Sequence, residues 1–159
     1  YNPNIRLIFI LRDPSERAYS QWCMQRHRGR ERLSFGEAIR TETERSQSFS
    51  SAHEGKWCAY VARGQYAQQI KRYLTLFPRE QLLFIRSERL MTEHVEALND
   101  ICDFLGVPAF DIAPQHHIRF SQNYEPMDPQ DRKFLINCFA SSIRDLEDLL
   151  GWDCNAWLH

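Results

Sequence analysis

IRLIFILRDPSERAYS, residues 5–20, decides how this chain folds. Residues 5–11 are a run of β-branched and aromatic side chains, too short for a surface helix and apolar on both faces, as a buried parallel strand is. The expectation is a central strand. It stops at Arg12-Asp13-Pro14, where Asp13 is suited to cap a helix and Pro14 to occupy its first turn. The helix then runs through Ser20 toward His27 and ends before Gly29. The whole is a strand-loop-helix unit.

Beyond it lies a polar, Ser-rich and Glu-rich region, residues 30–56. Within it Ser34 and Glu37 form an S-x-x-E capping box for a short helix carrying Phe35, Ala38 and Ile39. Residues 47–55 read as a loop. From Tyr60 or Gly64 to Phe77 the apolar positions Tyr66, Ile70, Tyr73, Leu74 and Phe77 keep helical spacing, and Pro78 closes the segment. Residues 81–85, QLLFI, predict a second buried strand. After Ser87 a helix carries Val95, Leu98, Ile101, Cys102 and Leu105 on one side and stops at Gly106. A last helix begins at Asp128-Pro129 and carries Phe134, Leu135, Cys138, Phe139, Leu146, Leu149 and Leu150 before Gly151. Helices alternating with buried strands predict an α/β fold, a parallel sheet flanked by helices.

The 159 residues fit one domain with a sizeable core, and the formal charge of −1 supplies no global field for nucleic acid or an acidic membrane. An anion site must therefore be built locally from a few arginines. No stretch reaches the roughly 18 uncharged apolar residues of a membrane span, and residues 1–6 lack the layout of a signal peptide. The chain starts two residues before a proline and almost directly in an apolar run, which suggests a cut domain. Five widely spaced cysteines with no C-x-x-C pair argue against a disulfide framework. Cys102 and Cys138 read as small buried hydrophobes, while a single bridge such as Cys58 to Cys154 stays open. This usage mildly favours a reducing, cytoplasmic compartment.

The candidate chemistry sits in RDPSERAYS, residues 12–20. A strand that ends in Arg12 and feeds a helix start puts a guanidinium beside free backbone N–H groups at the C-terminal edge of a parallel sheet, where open α/β folds bind ligands. Ser20 lies seven residues after Asp13, about two turns, so its hydroxyl returns to the same helix face and can bond the same anion. The plainer alternative is that Arg12 pairs with a core carboxylate and Ser20 only packs.

These residues resemble the sulfotransferase family, especially its bacterial and heparan-sulfate-type branch. There, a strand followed by R-[DN]-P, with a Ser eight residues after the Arg, holds the 3'-phosphate of the sulfate donor. Arg12, Asp13, Pro14 and Ser20 match in type and spacing. The likeness continues in LSFGEAI at 33–39, GQYAQQIKRYLTLFPREQLLFIRSERL at 64–90, F-L-G at 104–106, and L-x-x-L-L-G at 146–151 with Trp157 after it. The resemblance implies a P-loop-like three-layer fold, with residues 1–159 a single, partial sulfotransferase domain. It implies 3'-phosphoadenosine-5'-phosphosulfate as co-substrate, adenosine 3',5'-bisphosphate as product and no metal. Arg12 and Ser20 are then expected at the 3'-phosphate and Ser87 near the nucleotide, the alternative for Ser87 being an ordinary helix cap.

In the relatives a late Lys-Gly loop adds basic and N–H groups. Here HIRFSQNYEP, residues 117–126, stands in its place without the Lys-Gly pair. Arg119 is the candidate for the charge and Tyr124 for an aromatic surface, although Arg119 reads equally well as solvated. The family's phosphosulfate loop cradles the 5'-phosphosulfate, and its Lys stabilises charge on the leaving bridge oxygen. None of the six glycines, at 29, 36, 55, 64, 106 and 151, stands in such a setting. The family's general base also precedes the RDP strand, so no catalytic residue is assigned.

His116-His117 lack a third ligand at zinc-like spacing and read as loop residues. The cluster Arg26, His27, Arg28, Arg30 and Arg32 suits an anionic acceptor such as a sulfated glycan, but suits equally a solvated helix end, where positive charge is favoured by the dipole. The expectation is sulfuryl transfer to a hydroxyl or amine of a small-molecule or glycan acceptor, with no nucleic acid partner, residues 30–56 helping to form the acceptor side and the missing N-terminal part of the domain a possible partner. The rival is a non-catalytic nucleotide-binding or interaction module derived from the same fold. A nucleotide kinase is disfavoured, because the chain shows no phosphate loop and no obvious Mg²⁺ carboxylate at a strand end.

Overall fold

The computed structural model describes residues 2–48, 57–109 and 125–159. In chain order these form β1 (Leu7–Leu11), α1 (Pro14–His27), α2 (Phe35–Arg40), α3 (Glu42–Ser48), α4 (Tyr66–Leu76), β2 (Leu82–Arg86), α5 (Arg89–Thr92), α6 (His94–Leu105) and α7 (Pro129–Leu150). Short 3-10 turns occupy Ala62–Gly64, Arg79–Gln81 and Asn155–Leu158. The chain groups into two compact units, residues 1–12 with 71–123 and residues 13–70 with 124–159.

In the first unit β1 and β2 pair in parallel, Leu7 opposite Leu82 through Leu11 opposite Arg86. Phe9 stacks on Phe84 at 5.0 Å and meets Tyr73, from the end of α4, edge-on at 4.8 Å. Leu82, Phe84 and Ile85 are buried, as expected of a core strand. β1 departs from the expectation of burial on both faces, since Ile10 is 55% exposed. Among the described residues β2 is its sole strand neighbour, and Ile10 stays more than half exposed. The helix expected after Ser87 is two helices, broken at Glu93 (φ −128°, ψ 51°). Ala97 and Cys102 make the buried side of α6, whereas Val95 and Leu105, expected there, are exposed in its end turns. Gly106 closes α6 in the left-handed region at φ 71°, which glycine adopts without a Cβ penalty.

The second unit is helical. α7 buries Leu135, Phe139, Ile143 and Leu146 along one stripe, with Ser142 accepting from the Ala67 N–H at 3.3 Å. Its start is capped by Asp128, whose carboxylate accepts from the Gln130 N–H at 2.7 Å, with Pro129 next. Phe134, half-buried, lies under the Arg40 guanidinium at 4.9 Å. Gly64 sits against α7 so closely that a Cβ there would stand 2.5 Å from a Phe139 ring carbon and 3.2 Å from Pro14. This close approach fixes the first turn of α1 against α7. All five cysteines are free thiols, Cys58 and Cys154 included, and Cys138 is half-buried where full burial was expected.

Candidate functional site

β1 passes into α1 through Arg12 and Asp13, as its sequence predicts. Asp13 caps the helix, one carboxylate oxygen accepting from the N–H of Ser15 at 2.7 Å and of Glu16 at 3.3 Å. The other oxygen faces the Arg132 guanidinium at 3.4 Å, and Arg132 also pairs with Glu16. The Arg17 N–H donates to the Asp13 carbonyl, and Pro14 has no N–H. The first turn of α1 is therefore self-satisfied, which corrects the expectation of free backbone N–H groups beside Arg12. Charge at this strand end comes from side chains.

In the first unit, the C-terminal edge of the parallel pair brings two of the expected residues together. The Ser87 N–H donates to the Leu11 carbonyl at 2.7 Å, one residue before Arg12. The Ser87 hydroxyl donates to Glu88 at 3.2 Å, and α5 begins without a side-chain cap, so Ser87 is not a helix cap. Arg86, opposite Leu11 and exposed, adds a second guanidinium to this edge. Sequence reading passed over it, although its place as the last residue of a strand beside the SER triplet was a signal. Arg12 is half-buried. Ser20 lies on α1 in the second unit and is exposed. Arg119 and Tyr124, and with them His116-His117, lie outside the described residues.

The second unit holds a buried polar network that sequence reading also missed. Glu31 is 4% exposed, and its carboxylate accepts from Arg45 at 3.0 Å, from the Tyr60 hydroxyl at 2.9 Å and from the N–H groups of Arg32 and Leu33. Burial acts to raise its pKa, but the hydrogen bonds from Leu33, Tyr60 and Arg45 outweigh it and hold the carboxyl below the usual carboxylate range. The Tyr60 phenol is pushed up, first by burial and then by the Glu31 carboxylate it serves. Glu42 accepts from three successive N–H groups, those of Tyr60, Val61 and Ala62, at 2.6 to 2.8 Å. From α1, Gln21 donates to the Trp57 carbonyl at 2.8 Å and Arg17 to that of Tyr60. Burial lowers the Arg17 pKa. Residues 57–62 are thus tied to α1 and α3 by buried polar contacts.

Next to this network an aromatic cluster packs Tyr19 on Trp22 at 5.6 Å and edge-on to Phe35 at 4.9 Å. The Tyr19 hydroxyl donates to the Glu125 carbonyl at 2.6 Å, and burial with its neighbour Cys23 pushes its pKa up to about 12. At the end of α1 stands the arginine cluster. Arg26 donates to the Arg32 carbonyl at 2.8 Å, and Arg30 lies over Trp57 at 4.3 Å. Among the described residues no three His, Cys, Asp or Glu side chains converge as a metal site.

Comparison with known proteins places the chain in a family. The sulfotransferase domain family matches residues 1–125. Human bifunctional heparan sulfate N-deacetylase/N-sulfotransferase 3 is 30% identical over 98% of the chain and 21% of its own length. Mouse heparan sulfate glucosamine 3-O-sulfotransferase 3B1 is 32% identical over 74% of the chain and 28% of its own length. The crystal structure of a sulfotransferase from Alicyclobacillus acidocaldarius superposes with a TM-score of 0.81 at 34% identity, covering 97% of this chain and 57% of that one. The chain thus spans about a fifth of the human relative and somewhat over half of the bacterial structure.

Proposed function

Because this chain belongs to the sulfotransferase domain family, we propose that it forms the donor-anchoring part of an enzyme that moves a sulfuryl group from 3'-phosphoadenosine-5'-phosphosulfate to a hydroxyl or amine of a glycan. In this scheme the acceptor oxygen or nitrogen attacks sulfur in line and loses its proton. The bridge S–O bond breaks, and adenosine 3',5'-bisphosphate leaves. As in phosphoryl transfer, positioning and charge stabilisation do the work. Arg12 and Ser20 hold the 3'-phosphate and Ser87 lies near the nucleotide, with Arg119 and Tyr124 as further contacts. The relatives named for heparan sulfate support a glycan acceptor over a small alcohol. Residues 1–159 are read as part of one domain, since the family match runs through residues of both compact units. Five free thiols, four of them buried, support a reducing, cytoplasmic setting.

The observation that carries this reading is the edge of the parallel pair, where the Ser87 N–H meets the Leu11 carbonyl beside Arg12. Calorimetric titration with adenosine 3',5'-bisphosphate, beside adenosine 5'-monophosphate, tests it. The bisphosphate is expected to bind preferentially, and Arg12→Ala to remove that preference at a cost of about 1.5 to 3 kcal/mol, the range of a charge-assisted hydrogen bond. A folded protein that binds both nucleotides equally, or an Arg12→Ala variant that keeps the preference, overturns the assignment.

A further inference from the structure

The sequence RHRGRER, residues 26–32, places four arginines and His27 within seven positions. A basic helix end alone is ordinary, because cations are favoured there by the helix dipole. Two observations set this one apart. Its single acid, Glu31, is turned inward: its side chain is 1% exposed and its charge is matched inside by Arg45 at 3.0 Å. The outward charge of the rim is therefore cationic throughout, with Arg26, His27, Arg28, Arg30 and Arg32 all exposed. The rim is also held in shape. Gly29 turns the chain at φ 67°, and the N–H groups of Arg30 and Glu31 donate back to the Gln25 carbonyl at 2.9 and 3.3 Å. Arg26 closes the turn through its bond to the Arg32 carbonyl and lies 5.6 Å from the Trp22 ring, while Arg30 rests on Trp57. Ordering done in advance removes part of the entropic cost of binding.

We propose that this rim, Arg26, Arg28, Arg30 and Arg32 with His27, binds a sulfated polysaccharide chain; the proposal rests on the glycan-acceptor reading above and gives that acceptor a surface. The cations of the rim are arginines, apart from His27, with no lysine among them. A guanidinium fork matches sulfate and carboxylate oxygens two at a time, which an ammonium does not. Trp22 and Trp57, both half-buried, lie under the guanidinium groups of Arg26 and Arg30 and so help to hold the charges in place. The relatives named for heparan sulfate favour a sulfated glycan over a nucleic acid as the polyanion.

The test is calorimetry of a heparin-derived oligosaccharide with the chain and with the double variant Arg28→Ala/Arg32→Ala. Those two side chains make no hydrogen bond or ion pair among the described residues, so the fold is left intact, which the melting temperature checks. The expected result is binding that weakens with salt and falls roughly tenfold in the double variant, as two exposed charge contacts within their usual range give. Chemically desulfated oligosaccharide and polyuridylate RNA are expected to bind far more weakly. Absence of heparin binding, an unchanged affinity in the double variant, or equal affinity for the RNA overturns the proposal. Adenosine 3',5'-bisphosphate titrated into the same samples separates the two readings. If the nucleotide binds while heparin binding ignores the variant, the rim alone is refuted. If heparin binding depends on the arginines while the nucleotide fails to bind, the rim stands and the donor reading falls.

Discussion

Glu31 shows how much one side chain can organise. Its carboxylate serves Arg45 from α3, the Tyr60 hydroxyl and two backbone N–H groups, all within the second unit. A buried charge so fully matched is costly to unmatch from one side, because the partner guanidinium is then left without its counter-charge. Glu31→Ala is expected to destabilise by about 3 to 5 kcal/mol, the range for breaking a buried pair. Glu31→Gln keeps an oxygen acceptor and should lose less, about 1 to 3 kcal/mol. Urea unfolding followed by circular dichroism reads both. Equal losses for the two variants would mean that the charge, which both remove, makes the contribution, and not the packing that only the glutamine keeps. Loss of Glu31 should also weaken heparin binding, since its inward turn shapes the neighbouring rim.

At the scale of elements, the 3-10 turn Ala62–Gly64 holds the first turn of α1 against α7. Gly64 is hard against Phe139 of α7 and Pro14 of α1, and no larger residue fits without displacing one of them. Gly64→Ala is expected to cost about 1 to 3 kcal/mol, the usual penalty for overfilling a packed site. A midpoint of urea unfolding unmoved by this change would show that α7 yields freely there. Elements of this kind divide what the sequence announced from what it withheld. The cap at Asp13-Pro14, the capping box of Ser34 and Glu37, and the stops at Gly106 and Gly151 were legible because each depends on neighbours within a few positions. The exposure of Ile10 and the burial of Glu31 were not, because each depends on residues far along the chain. Asp13 shows both sides: its cap was readable, its approach to Arg132, 119 positions on, was not. The candidate site divides likewise. Arg12 and Ser87 were marked by a family pattern, whereas Arg86 needed the strand register to bring it opposite Leu11.

For the molecule as a whole, the pH dependence of stability follows from groups whose ionisation differs between the folded and unfolded chain. The folded pKa of Glu31 is held down by the hydrogen bonds it accepts against the opposing pull of burial, so its contribution is fully present above the ordinary carboxylate value of 4.5 and is lost as pH falls through the lower folded value. On the other side, burial raises the thiols of Cys23, Cys58 and Cys138 and the phenols of Tyr19 and Tyr60. For these acids the neutral form is favoured by folding, so their contribution is complete below their ordinary values, 9.0 for the thiols and 10.0 for the phenols, and is lost as pH rises toward the folded ones. Stability should therefore be level between about 4.5 and 9.0 as far as these groups decide it, and fall on both sides. Glu31→Gln separates the acid limb from general charge repulsion. Near neutral pH the variant lacks the ionised carboxylate and is less stable than the parent; as pH falls through the lowered folded value and the parent carboxylate is itself protonated, the difference should shrink. Unfolding midpoints for both proteins across this range decide the matter. A gap between them that stays constant from neutral to acid pH would show that the Glu31 carboxylate owes its place to shape and not to charge, and the acid limb would then belong to other carboxylates.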